Sequence, residues 1–214
     1  MTRRRPPDPI EEVLAALQLV LGSRPTDRQE RLFRQYLELF LRWNQVHRMT
    51  ALASPAAIVR NLFIDSLLFL NAMPSQRPLT VVDIGAGAGI PGLPMRLADS
   101  SLALCLVESK RKRVSFLRTV CRELGLAEVA VVEGRAEAAT QLRPALRATF
   151  DVAVARAVAR IEHLEPLAMP YLKPGGLLIV STAPEAAVPS GVRVVRVPGL
   201  PGTGGTRAFH VLEK

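Results

Sequence analysis

Cysteine is scarce: Cys105 and Cys121 are the only two in 214 residues. No CxxC or Cys/His spacing accompanies them, which excludes a disulfide framework and a cysteine zinc site. They fall in an apparent strand and an apparent helix, where they read as small core fillers. The three histidines, His47, His163 and His210, lie far apart and form no motif. Lysine is also rare, since Lys110, Lys112, Lys173 and Lys214 are the only ones among 28 basic residues. No secretory core follows the basic start, and no apolar run reads as long enough to span a membrane, so a soluble cytoplasmic protein is expected. No long exposed apolar stripe is evident, and a monomer is expected.

What is present is apolar residue and positive charge. Hydrophobic residues make up 49% of the chain, enough for a sizeable core, and the formal charge is +9. Such a balance attracts polyanions, and arginine contacts phosphate bidentately. An arginine bias can equally reflect genomic base composition, so charge alone does not decide for nucleic acid.

The first 78 residues read as a helical extension. Ile10–Leu21 is amphipathic and stops before Gly22. Thr26-Asp-Arg-Gln29 has the form of a capping box. Behind it Phe33, Tyr36, Leu37, Phe40 and Leu41 recur at helical spacing to about Gln45. Ser54-Pro55 places a cap and a first-turn proline at the head of a third helix, reaching about Asn71. From residue 79 to 214 strands alternate with helices. Leu79–Asp83, Leu102–Val107, Val129–Val132, Phe150–Ala155 and Leu177–Val180 read as strands, and Lys110–Leu124 as a helix closed by Gly125. Two late strands, Val192–Val197 and Phe209–Leu212, follow. This alternation predicts an α/β fold with a parallel sheet covered by helices.

The stretch most informative for chemistry is Val81-Val-Asp83-Ile-Gly85-Ala-Gly87-Ala-Gly89-Ile-Pro91-Gly92. A strand enters glycines at alternate positions and then a helix, whose free N–H groups face any ligand on the turn. Asp83 precedes the first glycine by two residues. The third glycine comes one residue early for a dinucleotide fingerprint, with Ile90 in its place. Glu108 ends the next strand, where an acid can accept both hydroxyls of a ribose. Adenosylmethionine carries a zwitterion and a sulfonium but no phosphate. An acid before the glycines suits its ammonium, and loop amides suit its carboxylate. These features favour adenosylmethionine over a nicotinamide dinucleotide.

Through these and further motifs the chain resembles the bacterial 16S ribosomal RNA guanine-N7 methyltransferases of the glucose-inhibited-division-B type. The resemblance runs from about Trp43 to Gly176. It rests on Trp43-Asn44, Thr50-Ala51, Asp65-Ser66-Leu67 and the glycine stretch with Ile90-Pro91-Gly92-Leu93-Pro94. It continues through Glu108-Ser109, Lys112-Arg113, Phe116-Leu117, Gly134-Arg135-Ala136-Glu137, Ala155-Arg156-Ala157 and Leu172-Lys173-Pro174-Gly175-Gly176. The resemblance implies a Rossmann-like S-adenosylmethionine-dependent methyltransferase sheet with an N-terminal helical extension. By the same resemblance Gly85 and Ile90 line the cofactor, and Glu108 holds its ribose; Asp83, Gly87 and Gly89 of the glycine stretch are expected to bind it too. Ala136 and Glu137 flank the adenine, and Arg156 faces cofactor and target. The implied partner is 16S ribosomal RNA or the small ribosomal subunit, with no metal.

The sequence departs from that family on the target side. Leu62 stands where a histidine is usual, Arg48-Met49 where Asn-Leu is usual, and Ser181-Thr182 where Lys-Gly is usual. The helix after the fifth strand is expected to shrink to a few residues near Glu185. Guanine N7 has no proton to lose, so no general base is expected, and Arg156 is the candidate for orienting the base. Lys112 and Arg113 are expected to grip RNA outside the pocket. The arginine face Arg111, Arg118 and Arg122 and the tail Arg3–Arg5 are weaker candidates. A methyltransferase for a small molecule or protein, a nicotinamide oxidoreductase and an RNA-binding module without turnover are the rival readings.

Overall fold

A computed structural model describes residues 8–156 and 160–214. The expected tail contacts Arg3–Arg5, and Ala157 of the Ala-Arg-Ala motif, lie outside the described residues.

Helix α1, Pro9–Leu21, is capped by the Asp8 carboxylate and ends at Gly22 with φ 65°. Helix α2, Asp27–His47, opens with the expected capping box: Gln29 N–H donates to Thr26 Oγ1 at 3.2 Å and Thr26 N–H to Gln29 Oε1 at 2.8 Å. It ends at Arg48, which adopts the left-handed conformation with φ 47°. The third helical stretch begins as α3, Pro55–Ile58, under the Ser54 hydroxyl. It continues as a π-helical segment Val59–Ile64, a short α4, Asp65–Leu67, and a 3-10 segment Leu68–Ala72. The cap and first-turn proline marked where it begins, but nothing local in the sequence signals the π-helical turn.

This run of residues 55–72 corrects one expectation from sequence, since it is long and apolar enough to match a membrane span by length and composition. More than half of it, 56%, is buried inside the protein. Its two charged residues are also ion-paired, Arg60 with Glu12 and Asp65 with two arginines.

The sheet is seven-stranded. Strands β1 Leu79–Ile84, β2 Leu102–Glu108, β3 Val129–Glu133, β4 Phe150–Ala155, β5 Leu172–Thr182, β6 Arg193–Pro198 and β7 Thr206–Glu213 lie in the order 3-2-1-4-5-7-6. The first five are parallel, and β7 runs antiparallel between β5 and β6. A dinucleotide fold has the order 3-2-1-4-5-6 without that inserted strand. Strand β5 starts five residues earlier than its apolar run because Lys173–Gly176 pair irregularly with β4. Helices α5 Gly92–Ala98, α6 Arg111–Glu123, α7 Ala136–Leu142 and α8 Ile161–Ala168 connect the parallel strands. The short helix expected near Glu185 is absent: residues 183–192 form turns only, because Ala183-Pro184 and Pro189 leave no room for a helical run.

Two cores sandwich the sheet. One joins Ile10, Phe33, Tyr36, Phe40, Phe63 and Phe69 of the extension to Val81, Leu104, Leu106, Phe116 and Phe209. The other packs Val82, Cys105, Ala153 and Val180 under Ile161, Leu164 and Tyr171. The helical extension thus supplies one face of the sandwich, and Cys105 is a buried filler as expected.

Arg48 occupies a backbone region that costs a side chain with a Cβ on the order of 1 kcal/mol and that asparagine tolerates better. Arg48→Asn is expected to raise stability by about 0.5–1 kcal/mol, read from urea unfolding midpoints at unchanged slope. An unchanged midpoint would show that the turn is held by its neighbours.

Candidate active site

The turn from β1 to α5 is built from backbone and is held by side chains around it. Gly89 has φ 83°, and a Cβ there would meet Leu93 Cδ1 at 2.2 Å. A Cβ on Gly92 would lie 2.8 Å from Asp83 Oδ2, the atom that accepts the Gly92 N–H at 2.9 Å. Glu108 is buried at the end of β2 and accepts N–H groups from Gly87 and Lys110, each at 2.8 Å. Arg113 Nη1 stands 3.7 Å from the same carboxylate. From the opposite side, the Tyr36 hydroxyl of α2 donates to the Ala88 carbonyl at 2.6 Å. Its ring stacks on Phe63 at 4.6 Å, so the extension clamps the turn.

Beside this turn is a cleft of about 290 Å³. Gly85, Ala86, Gly87, Ala88 and Ile90 form one wall, Arg113 and Arg156 add charge, and Phe40, Met49, Thr50 and Leu62 close the other side. Of the residues singled out from sequence, Gly85, Gly87, Ile90, Arg113 and Arg156 are brought together here. Gly89 and Asp83 are buried behind the wall, and Glu108 reaches it through the Gly87 amide. Ala136 and Glu137 do not line the cleft. Ala136 begins α7, with its carbonyl accepting the Tyr171 hydroxyl at 2.7 Å, and Glu137 is exposed. Lys112 is exposed on α6, whereas Arg113, expected outside the pocket, turns into it. Arg111 and Arg118 both lean toward Glu133, at 3.8 and 3.6 Å.

Arg156 leaves β4 with only 16% of its side chain exposed. Its Nη2 donates to Asp65 Oδ2 at 2.8 Å and to the Asn61 carbonyl. Asp65 Oδ1 takes Arg207 Nε at 2.6 Å. Burial pulls the Arg156 guanidinium pKa down, and the Asp65 charge opposes that shift. Arg207 was not signalled by sequence, because it stands alone after Gly-Gly-Thr and meets Asp65 from 142 residues away. Asn44 explains another motif pair: its side chain accepts the Thr50 N–H at 2.8 Å and seats the loop that carries Met49 and Thr50 into the cleft. Leu62 and Met49, two departures from the family pattern, lie on the apolar wall.

Two features suit a ligand with both a cation and a polar sugar. Asp83 Oδ1 is buried with no hydrogen-bond partner among the described residues, and the Glu108 carboxylate retains lone pairs beyond the two amides it holds. A Gly-rich turn with acids at the ends of β1 and β2, on a sheet with antiparallel β7 inserted, defines a Rossmann-like S-adenosylmethionine-dependent methyltransferase. Solved structures agree on the fold. A SAM-dependent methyltransferase from Aquifex aeolicus aligns with TM-score 0.53 at 18% identity, covering 77% of this chain and 97% of its own. A predicted O-methyltransferase from Agrobacterium tumefaciens aligns with TM-score 0.54 at 17% identity, covering 67% and 77%.

The chain belongs to the rRNA small subunit methyltransferase G (GidB) family, whose model matches residues 29–186. It is 41% identical over 168 residues to Ribosomal RNA small subunit methyltransferase G of Streptococcus sanguinis, covering 77% of this chain and 70% of that protein. The protein of the same name from Streptococcus pyogenes is 40% identical over 166 residues, with the same coverage. S-adenosylmethionine is therefore the methyl donor.

Burial pushes the Asp83 carboxyl up to about 7, with the Gly92 N–H pulling it down and the Glu108 charge pushing it up again. The folded state therefore binds more protons than the unfolded state between about pH 4 and 7. Stability contributed at Asp83 is intact below that window, falls as pH rises through it and is level above it. Asp83→Asn keeps an acceptor for Gly92 but cannot ionise. The stability difference is expected to move in the variant's favour by as much as about 4 kcal/mol between pH 4 and 8. Parallel stability curves for the two proteins would show that Asp83 is ionised throughout.

Proposed function

We propose that this enzyme transfers a methyl group to N7 of one guanine in 16S ribosomal RNA, in the cytoplasm and as a monomer. The observation that carries the target side is Arg156, a nearly buried guanidinium on the cleft wall with Nη1 and Nε unpartnered among the described residues. Family membership and the names of the relatives support the RNA substrate. The exposed large apolar side chains Leu19, Val46, Leu142 and Val188 sit singly on different elements, which supports a monomer.

S-adenosylmethionine supplies a methyl group activated by a sulfonium. Gly85, Gly87, Gly89 and Ile90 shape its seat, Asp83 offers a buried carboxylate to the ammonium, and Glu108 offers lone pairs to the ribose. Ala136 and Glu137, at the start of α7 and outside the cleft itself, are assigned to the adenine edge on the family resemblance alone. Held there, the cofactor would supply a methyl carbon that the N7 lone pair displaces directly from sulfur, with S-adenosylhomocysteine as the leaving group, so no proton would need to move and no side chain to act as base. The chain's contribution is alignment and exclusion of water, which proximity effects can make worth several powers of ten. Leu62, Met49 and Phe40 keep the target side apolar. The free donors of Arg156 suit guanine O6 and leave N7 open to the methyl. Asp65 and the Asn61 carbonyl fix the guanidinium plane, and the exposed Lys112 offers charge to the RNA backbone, while Arg113 adds charge inside the cleft.

The test is methyl transfer from labelled cofactor to small subunits from a strain lacking the enzyme, followed by chemical cleavage at N7-methylguanine. One new cleavage site in the small-subunit RNA is expected. Cofactor binding without transfer to subunits or naked RNA would overturn the assignment. Arg156→Ala is expected to lower kcat by roughly a hundredfold or more with cofactor affinity nearly unchanged, and wild-type turnover would remove Arg156 from the target side.

A further inference from the structure

Helix α5 starts at the Gly-rich turn, and its seven residues carry the chain about 10 Å back toward the N-terminal ends of the parallel strands. At that far end a second concavity of about 310 Å³ opens between α5 and the first turn of α2. Arg96 and Ser100 line one side, Thr26 and Arg28 the other, and Leu32 and Leu97 form its apolar wall.

Arg96 is the anomaly. Its relative exposure is 8%, and its Nε is buried without a hydrogen-bond partner. Among the described residues no carboxylate pairs with it. Asp99 is committed to Arg77 at 2.6 Å and to Ser101, and Glu128 is exposed and makes no ion pair with it. A buried cation without a partner is costly, and such groups in native proteins ordinarily answer to an ion or water. A neighbouring cation makes the imbalance worse, because the charge of Arg28 acts on Arg96 in the same sense as burial and lowers its pKa.

The third wall has the same polarity. Helix α2 is 21 residues long, and the N–H groups of Asp27 and Arg28 in its first turn find no acceptor among the described residues. They carry the positive end of the helix dipole. Two carboxylates oppose it in that turn: Asp27, which is exposed, and Glu30, which Arg34 holds at 3.0 Å.

We propose that this concavity binds a single phosphate group, held by the Arg96 and Arg28 guanidiniums, the Ser100 hydroxyl and the α2 N-terminus. The site is separate from the cofactor cleft. Its occupant is a phosphodiester of the RNA substrate or free phosphate, and only the first of these rests on the RNA reading.

The test is thermal unfolding of the full chain in potassium phosphate against potassium chloride at matched ionic strength. With phosphate about tenfold above its Kd, wild type is expected to gain about 3–6 °C. Arg96→Met and Arg28→Ala are expected to lose most of that gain, and Arg122→Ala, on α6, to keep it. If Arg96→Met fails to fold, the exposed Arg28 decides the matter. No gain in wild type, or an equal gain in all variants, would overturn the site. Filter binding of 16S RNA against salt then separates the sources. A salt slope smaller by about one in Arg28→Ala identifies a phosphodiester. An unchanged slope with the phosphate response lost identifies free phosphate, and that result leaves the methyltransferase reading untouched.

Discussion

A glycine-rich turn has no side chains with which to hold its own shape, and everything at this site depends on how three outside groups hold it. Asp83 accepts the Gly92 amide, Glu108 accepts the Gly87 amide, and the Tyr36 hydroxyl donates to the Ala88 carbonyl. The two acids come from the ends of adjacent parallel strands, so the sheet register itself fixes their separation. Each also keeps capacity that the turn does not use: an unpartnered oxygen on Asp83 and spare lone pairs on Glu108. The groups that brace the loop are therefore the groups best placed to meet the cofactor, and bracing and binding are coupled.

The third brace changes how the helical extension is understood. Read along the chain, residues 1–78 look like an addition to a complete sheet. In the fold, α2 delivers Tyr36, Phe40 and Trp43 against Phe63 and Phe116, an aromatic cluster that spans the supposed boundary. The run 55–72 likewise brings Asp65 to Arg156 and Arg207. The cleft thus lies where the two parts of the chain meet, with its glycine wall from the sheet part and its apolar wall from the helical part.

Local features were legible before the structure. The capping box at Thr26 and Gln29, the stop at Gly22, the five parallel strands and the β1–α5 turn each depend on residues within a few positions of one another. Glu108 was legible because strand length places it. Features that depend on distant partners were not. Asp65 meets Arg207 across 142 residues, Arg113 turns into the cleft rather than out of it, and the register irregularity between β4 and β5 lengthens a strand beyond its apolar run. The π-helical turn belongs to the same group, since it leaves no periodic trace, whereas the missing helix after β5 follows from local prolines.

The departures from the family pattern concentrate on one wall, and their chemistry bears on how that wall works. Leu62 and Met49 line the cleft opposite the glycine turn. Neither side chain offers a useful hydrogen bond, so polar guidance of a base must come from backbone, from Thr50 or from Arg156. Arg156 has already given one nitrogen to Asp65 and to Asn61. That tether fixes the plane of the guanidinium and shares its charge with a carboxylate, which makes a mostly buried arginine tolerable. An apolar wall then has a positive use. Displacement at a sulfonium needs no proton acceptor, and water near N7 competes for the same lone pair. On the proposed reading, an apolar wall facing a tethered arginine removes that competitor while preserving one directional contact. On that reading orientation is concentrated in one side chain, and the residues that immobilise it, Asp65 and behind it Arg207, are as important to the target side as any group that touches the base.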